Sequence, residues 1–196
     1  LEELAQPAYL NLLVVQNPAT SSPGYAFMLA TVAGIGEEAA FDWWGRMRAN
    51  GIKVAKGWSE AYYTDFTRNG GSRPLVVSYA SSPAAEVFYS KEKISEPPTA
   101  SLFLKGGVFR QVEGVALVKG GQQREAVGRF IEFMRSPAVQ EALQTTMWMY
   151  AAEPRTPRPD VLRHAPEPTG FDNPPQDVIA QKGADWVSRW TRVVLK

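Results

Sequence analysis

The stretch LLVVQNPATSSPG, Leu12 to Gly24, runs from an unbroken apolar segment into small hydroxyl residues and a Pro-Gly pair. A short apolar run closed by Asn-Pro reads as a buried strand, and Ser22 followed by Pro23 reads as the cap and first residue of a helix. That helix continues through GYAFMLATVAGIG to Gly34. The same order recurs in RPLVVSYASSPAAEV (Arg73–Val87) and in IKVAKGWSEAYYTDF (Ile52–Phe66), where Ser59 is the expected cap. EEAAFDWWGRMRANG (Glu37–Gly51) is acidic at its start, basic at its end and closed by Asn-Gly, which predicts a helix. Strands alternating with helices predict an α/β fold with a mixed, mostly parallel sheet flanked by helices.

Further along, FRQVEGVALVKG (Phe109–Gly120) reads as a longer strand. QQREAVGRFIEFMR (Gln122–Arg135) reads as an amphipathic helix with Ala126, Val127, Phe130, Ile131 and Met134 on one face. From Pro154 to Pro175 the texture changes: seven of the fifteen prolines fall there, which predicts an extended, external connector. The chain closes on a helix whose Ile179, Trp186, Trp190 and Val193 share a face.

With 196 residues, 44% hydrophobic, and a formal charge of +1, the chain can bury a sizeable core and carries no signal of disorder. Lys and Arg are scattered, so no basic stripe marks a nucleic-acid site. The apolar runs are far shorter than the ~20 residues a membrane span needs. Cysteine is absent, which excludes disulfides and thiolate metal sites. The opening residues lack both a charged start and an apolar core of a signal peptide, and read like the interior of a longer protein.

Two helix starts of the Ser-Ser-Pro type directly follow buried strands. A helix N-terminus offers unpaired N–H groups and partial positive charge to an anion, and in open α/β sheets ligands sit at the carboxyl ends of strands. Plain helix capping is the competing explanation for both. Trp58 stands at a strand-to-helix turn, Tyr79 ends a strand, and Trp148 follows a short helix. Aromatic faces beside an anion site suit a flat cationic ring that carries a phosphate. No Walker-type loop, Gly-x-Ser-x-Gly elbow or His-Glu-x-x-His pair is present, and the single histidine, His164, lies in the proline-rich stretch. Catalysis and a resident cofactor or metal are therefore not expected.

LLVVQNPATSSPG, KGWSEAYYTDF, VVSYASSPAAEV, FRQVEGVALVKG, AVGRFIEFMRSPAVQEAL and MWMY, in this order, resemble the thiamine-binding solute receptors of bacterial ABC importers. The resemblance runs from about Leu10 to Tyr150 and continues weakly in the last helix. It implies a type II periplasmic-binding-protein fold, in which two α/β lobes close on a ligand that is handed to a membrane permease. It also implies a periplasmic or extracytoplasmic location. Carried over by motif, the ligand contacts are Ser21, Ser22, Trp58, Tyr79, Ala80, Ser81, Ser82 and Trp148, with thiamine or its phosphates as transported ligand. At Ala80 some relatives carry a hydroxyl residue, so only a backbone contact is implied there.

These receptors are longer than this chain, which starts about where their second lobe begins and so reads as a fragment with the first lobe largely missing. On that basis residues 1–117 are the second lobe, 118–152 a segment that packs on the absent lobe, 153–175 the connector, and 176–196 a helix returning to the second lobe. The helix bearing Phe130 then lacks the sheet it covers, and a homodimer or local repacking is expected. Two alternatives stay open: a ferric-ion receptor of the same superfamily, and a Ser-dependent hydrolase or transferase using Ser22 or Ser82. Adjacent Tyr62 and Tyr63 would point about 100° apart on an α-helix, which disfavours joint ligation of one ion.

Overall fold

A computed structural model describes residues 1–196. The chain forms two compact units: unit 1 holds Leu1–Tyr79, Leu102–Gln111 and Pro168–Lys196, and unit 2 holds Ala80–Ser101 and Val112–Glu167.

Unit 1 is built on a parallel sheet in the order β2-β1-β3. The central strand β1 (Leu13–Gln16) is buried along its whole length, which is why it reads as an unbroken apolar run. It pairs Gln16 with Ala55 of β2 (Lys53–Ala55) and Val14 with Val76 of β3 (Leu75–Val76). Because all three strands run the same way, Gln16, Ala55 and Val76 end at one edge. Helix α1 (Ser22–Ile35) leaves that edge. Its Gly24 lies against the strand end: a Cβ there would sit 2.3 Å from the Gln16 carbonyl oxygen. Helix α2 (Glu37–Ala49) follows after Gly36, whose φ of 90° turns the chain.

Helices α1 and α2 pack together, and α2 also packs on the final helix α7 (Gln176–Val194). Their core is aromatic. Trp44 meets Phe27, Trp43 and Trp190 edge-on at centroid distances of 5.7, 4.9 and 5.4 Å, a favoured arrangement for ring quadrupoles. Its indole N–H donates to Thr31 Oγ1 at 3.0 Å. The rim is charged: Arg189 grips Glu38 through both guanidinium nitrogens at 2.7 and 2.6 Å, and Lys182 reaches Glu37 at 2.9 Å. On α7, Trp186, Trp190 and Val194 are buried; Val193, assigned to that face by periodicity, is only partly so.

Unit 2 has helices α4 (Ser82–Tyr89), α5 (Arg124–Met134) and α6 (Pro137–Thr146). The proline-rich stretch is not simply extended and external. Its Asp160–His164 segment forms a 3-10 turn that places Leu162 and, just beyond it, Ala165 against Ala84 of α4. Two buried glutamines one turn apart fasten the chain before it: Gln140 Oε1 accepts from the Ala152 N–H at 2.8 Å, and Gln144 Nε2 donates to the Pro157 carbonyl at 2.8 Å.

Two other expectations differ from the structure. Phe109–Gly120 forms no strand: Val112 and Val118 are 83% and 75% exposed, and no neighbouring segment supplies a ladder. At its start Arg110 exchanges two 2.9 Å bonds with the Asn173 side chain. The helix expected after Ser59 is three residues long, α3 (Trp58–Glu60), capped by Gly57 rather than Ser59. It passes into a π-turn over Ala61–Asp65.

Candidate functional site

In unit 1 the three strand ends bring their turns side by side. The turn after β1 is closed by the Asn17 side chain, which accepts from the Ala19 N–H at 2.9 Å. It is tied to the turn after β2 by Thr20 Oγ1, which donates to the Lys56 carbonyl at 2.7 Å. Glu60 Oε2 accepts from the Lys56 N–H at 2.8 Å and closes the second turn. Buried Gln16 donates from Nε2 to the Val77 carbonyl at 2.9 Å, extending the link between β1 and β3 one step beyond the ladder. Ser78 and Tyr79 follow directly.

Ser21, not Ser22, is the N-cap of α1; Ser22 is its first residue, and neither makes a side-chain cap bond. Both line an open groove of about 540 Å³ together with Thr20, Tyr25, Phe109 and Ile179. The first-turn N–H groups of α1 give this end of the groove a partial positive charge. Burial pushes the Tyr25 hydroxyl above its ordinary pKa, so it stays a neutral phenol beside that groove.

Trp58 and Tyr79 do not line the groove but form an aromatic corner of their own. The Trp58 indole N–H donates to Ser78 Oγ at 2.8 Å, fixing the ring against the end of β3. Buried Tyr62 stacks on Trp58 at 4.7 Å and 22°. Tyr63 stands edge-on to Trp58 at 5.4 Å and 84°, and Tyr79 lies tilted at 6.0 Å and 50°. Tyr62 therefore seals one face of the indole, while Tyr63 and Tyr79 are 59% and 47% exposed. Sequence reading missed Tyr63 because a regular α-helix turns an i+5 residue away from Trp58, and it missed Tyr62 although Trp58 and Tyr62 are at i,i+4 spacing. Tyr62, at i+4, would meet Trp58 on an ordinary helix too; the π-turn, closed by Phe66 N–H to the Ala61 carbonyl at 3.0 Å, carries Tyr63, at i+5, back beside it.

The remaining expected contacts lie in unit 2. Ser81 is the buried N-cap residue of α4, and its hydroxyl donates to the Trp148 carbonyl at 2.8 Å. Trp148 has φ of 56°, the left-handed region, and its ring meets Phe88 and Tyr89 edge-on at 5.3 and 5.7 Å. Ser82 opens α4, and the Ala80 carbonyl accepts from Ser101 Oγ at 3.2 Å. No three His, Asp or Glu side chains gather to hold a metal ion. No helix is long and apolar enough to cross a membrane.

Residues 1–182 match the sequence pattern of a family described as bacterial extracellular solute-binding protein. The chain is 34% identical over 194 residues to the thiamine-binding periplasmic protein of Salmonella typhimurium, and 33% identical to that of Escherichia coli. Each alignment covers 99% of this chain and 57% of the relative, so the chain spans a little over half their length. A solved structure titled periplasmic thiamin binding protein matches with a TM-score of 0.81 at 30% identity, covering 99% of this chain and 58% of that one.

Proposed function

This chain belongs to the bacterial extracellular solute-binding proteins, and we propose that it binds thiamine or thiamine phosphates for delivery to the membrane permease of an ABC importer. The observation that carries the reading is the Trp58 corner: an indole sealed on one face by Tyr62, oriented by Ser78, and flanked by exposed tyrosines. Such a surface favours a flat cationic heteroaromatic ring, with cation–π attraction of about 2 kcal/mol when desolvated. The Ser21–Ser22 end of α1 offers N–H groups to a phosphate. Within unit 2, Ala80, Ser81, Ser82 and Trp148 are proposed as contacts on the motif resemblance alone, and Ser81 also holds the Trp148 carbonyl. The names of the relatives support this ligand and a periplasmic site of action.

The work of the protein is binding, not turnover. Equilibrium dialysis with labelled thiamine, competed by thiamine monophosphate, thiamine diphosphate and ferric citrate, tests it. Saturable retention displaced by thiamine compounds and not by ferric citrate is expected. Displacement by ferric citrate alone would move the reading to the ferric-ion alternative, and loss of activity on any ester in a His164→Ala variant would favour the hydrolase.

We propose also that the exposed apolar side of α5 pairs with a second copy of the chain. None of its residues is buried, and Phe130 and Phe133 are 51% and 59% exposed. Removing such surface from water is favourable at ~25 cal/mol per Å².

A further inference from the structure

Unit 1 holds two Asn-Gly pairs, Asn50–Gly51 and Asn69–Gly70, in opposite settings. Asparagine before glycine is open to spontaneous deamidation, because a residue without a Cβ lets its backbone nitrogen approach the preceding side chain. That nitrogen bonds to the asparagine Cγ, the Cγ–Nδ2 bond breaks, and the displaced amide leaves as ammonia with the backbone proton. Water then opens the resulting succinimide ring to aspartate or isoaspartate.

Asn50 is 8% exposed, and its Nδ2 donates to the Leu4 and Gln6 carbonyls at 2.9 Å each. Its backbone N–H donates to the Arg46 carbonyl at 2.8 Å, and its carbonyl accepts from the Asn11 N–H at 3.0 Å. Gly51 is wedged too: a Cβ there would lie 2.0 Å from Asn11 Oδ1, and its carbonyl accepts from Arg73 Nη1 at 2.8 Å. Turning the Asn50 side chain toward the Gly51 nitrogen therefore means releasing the segment of Leu4 and Gln6 from the end of α2. Asn69 ends a 3-10 turn over Thr67–Asn69, and these residues and Gly70 are all exposed. Its Nδ2 donates to the Tyr62 carbonyl at 3.0 Å. Gly70 has φ of 88° and is followed by a second glycine, so the pair can open without displacing a buried side chain. Openings of this kind cost least in a folded protein.

We propose that Asn69 is a deamidation site of the folded chain, and that the fold shields Asn50. The product carries a carboxylate where the amide donated, so the bond to the Tyr62 carbonyl is lost. The change therefore falls on the backbone that carries the ring stacked on Trp58.

The test is peptide mapping of the full chain held folded in mildly alkaline buffer, with isoaspartate read by enzymatic methylation and the added charge by anion exchange. Isoaspartate and aspartate are expected at position 69. Asn50 should react more slowly by roughly tenfold or more, since its rotation breaks one additional side-chain hydrogen bond. In denaturant, where neither pair keeps its setting, the two rates should converge. Asn69→Asp should co-elute with the aspartate product, and Asn69→Ser should abolish the folded-state signal. Equal rates at the two positions of the folded chain overturn the proposal, as does an Asn69 that stays intact there. A difference that persists undiminished in denaturant also overturns it, because local sequence and not the fold would then set the rates.

Discussion

Removing one hydroxyl should loosen Trp148. Its left-handed backbone, φ 56°, costs a non-glycine residue about 1–2 kcal/mol. Three contacts oppose that cost: the 2.8 Å hydrogen bond from Ser81, and the edge-on ring contacts with Phe88 and Tyr89. Ser81 is only 5% exposed, so in Ser81→Ala little water reaches the carbonyl it served. Losing one partner of such a bond costs about 1–3 kcal/mol, which is comparable to the strain being restrained. The variant should therefore unfold about 2–12 °C lower, at ~2–4 °C per kcal/mol for a chain of this size. The indole at 148 should also divide between two conformers. Thermal unfolding, with fluorine NMR of 5-fluorotryptophan at position 148, reads both effects. An unchanged midpoint with a single unshifted resonance would refute the reasoning, and Ser81→Thr, which keeps the hydroxyl, should behave like the unmodified chain.

Other expectations follow from the same structure. Trp44→Ala removes a 1% exposed indole at the centre of the aromatic core and should destabilise unit 1 by about 3–5 kcal/mol in denaturant unfolding, whereas Trp44→Phe should cost clearly less. Glu37 is held below the ordinary carboxylate pKa chiefly by its hydrogen bond from Lys182, and Glu38 chiefly by its bond from Arg189. A depressed folded value means this stabilisation is complete above about pH 4.5 and lost as pH falls through the folded values. Melting points should therefore drop on acidification, and less steeply in a Lys182→Met, Arg189→Met double variant; equal slopes would contradict the assignment. Phe130→Glu on α5 should convert a dimer of the 21.6 kDa chain to monomer in sedimentation velocity, while a monomeric unmodified chain would dismiss the paired-face proposal.

Much of unit 1 is legible in the sequence because its signals are local. The LVVQ run of β1, Gly24 against its end, the charge polarity of α2 and the tryptophan spacing of α7 each specify their element within a few residues. What escaped depends on distant partners. Phe109–Gly120 has an apolar pattern fit for a strand, but a strand exists only where another segment pairs with it. The helix after Trp58 is pulled into a π-turn by distant ties: Asp65 is buried against Lys53, and its carbonyl accepts from the Arg73 N–H at 2.9 Å. The candidate site shows the same division. Trp58 and Tyr79 stand out as aromatics at strand ends, whereas Tyr63 gains its place beside Trp58 from the π-turn. The serines are a finer case: the Ser81 hydroxyl holds the Trp148 carbonyl, a role no motif announces.

The central claim is that a thiamine-type cation stacks on Trp58. Its most direct test is tryptophan fluorescence during a thiamine titration of the full chain and of Trp58→Phe, which keeps a stacking ring but removes the reporter. The account predicts saturable quenching in the unmodified chain and its loss in Trp58→Phe, with dialysis still detecting the bound ligand. Quenching that persists undiminished in Trp58→Phe, or thiamine that neither quenches nor is retained, would contradict it.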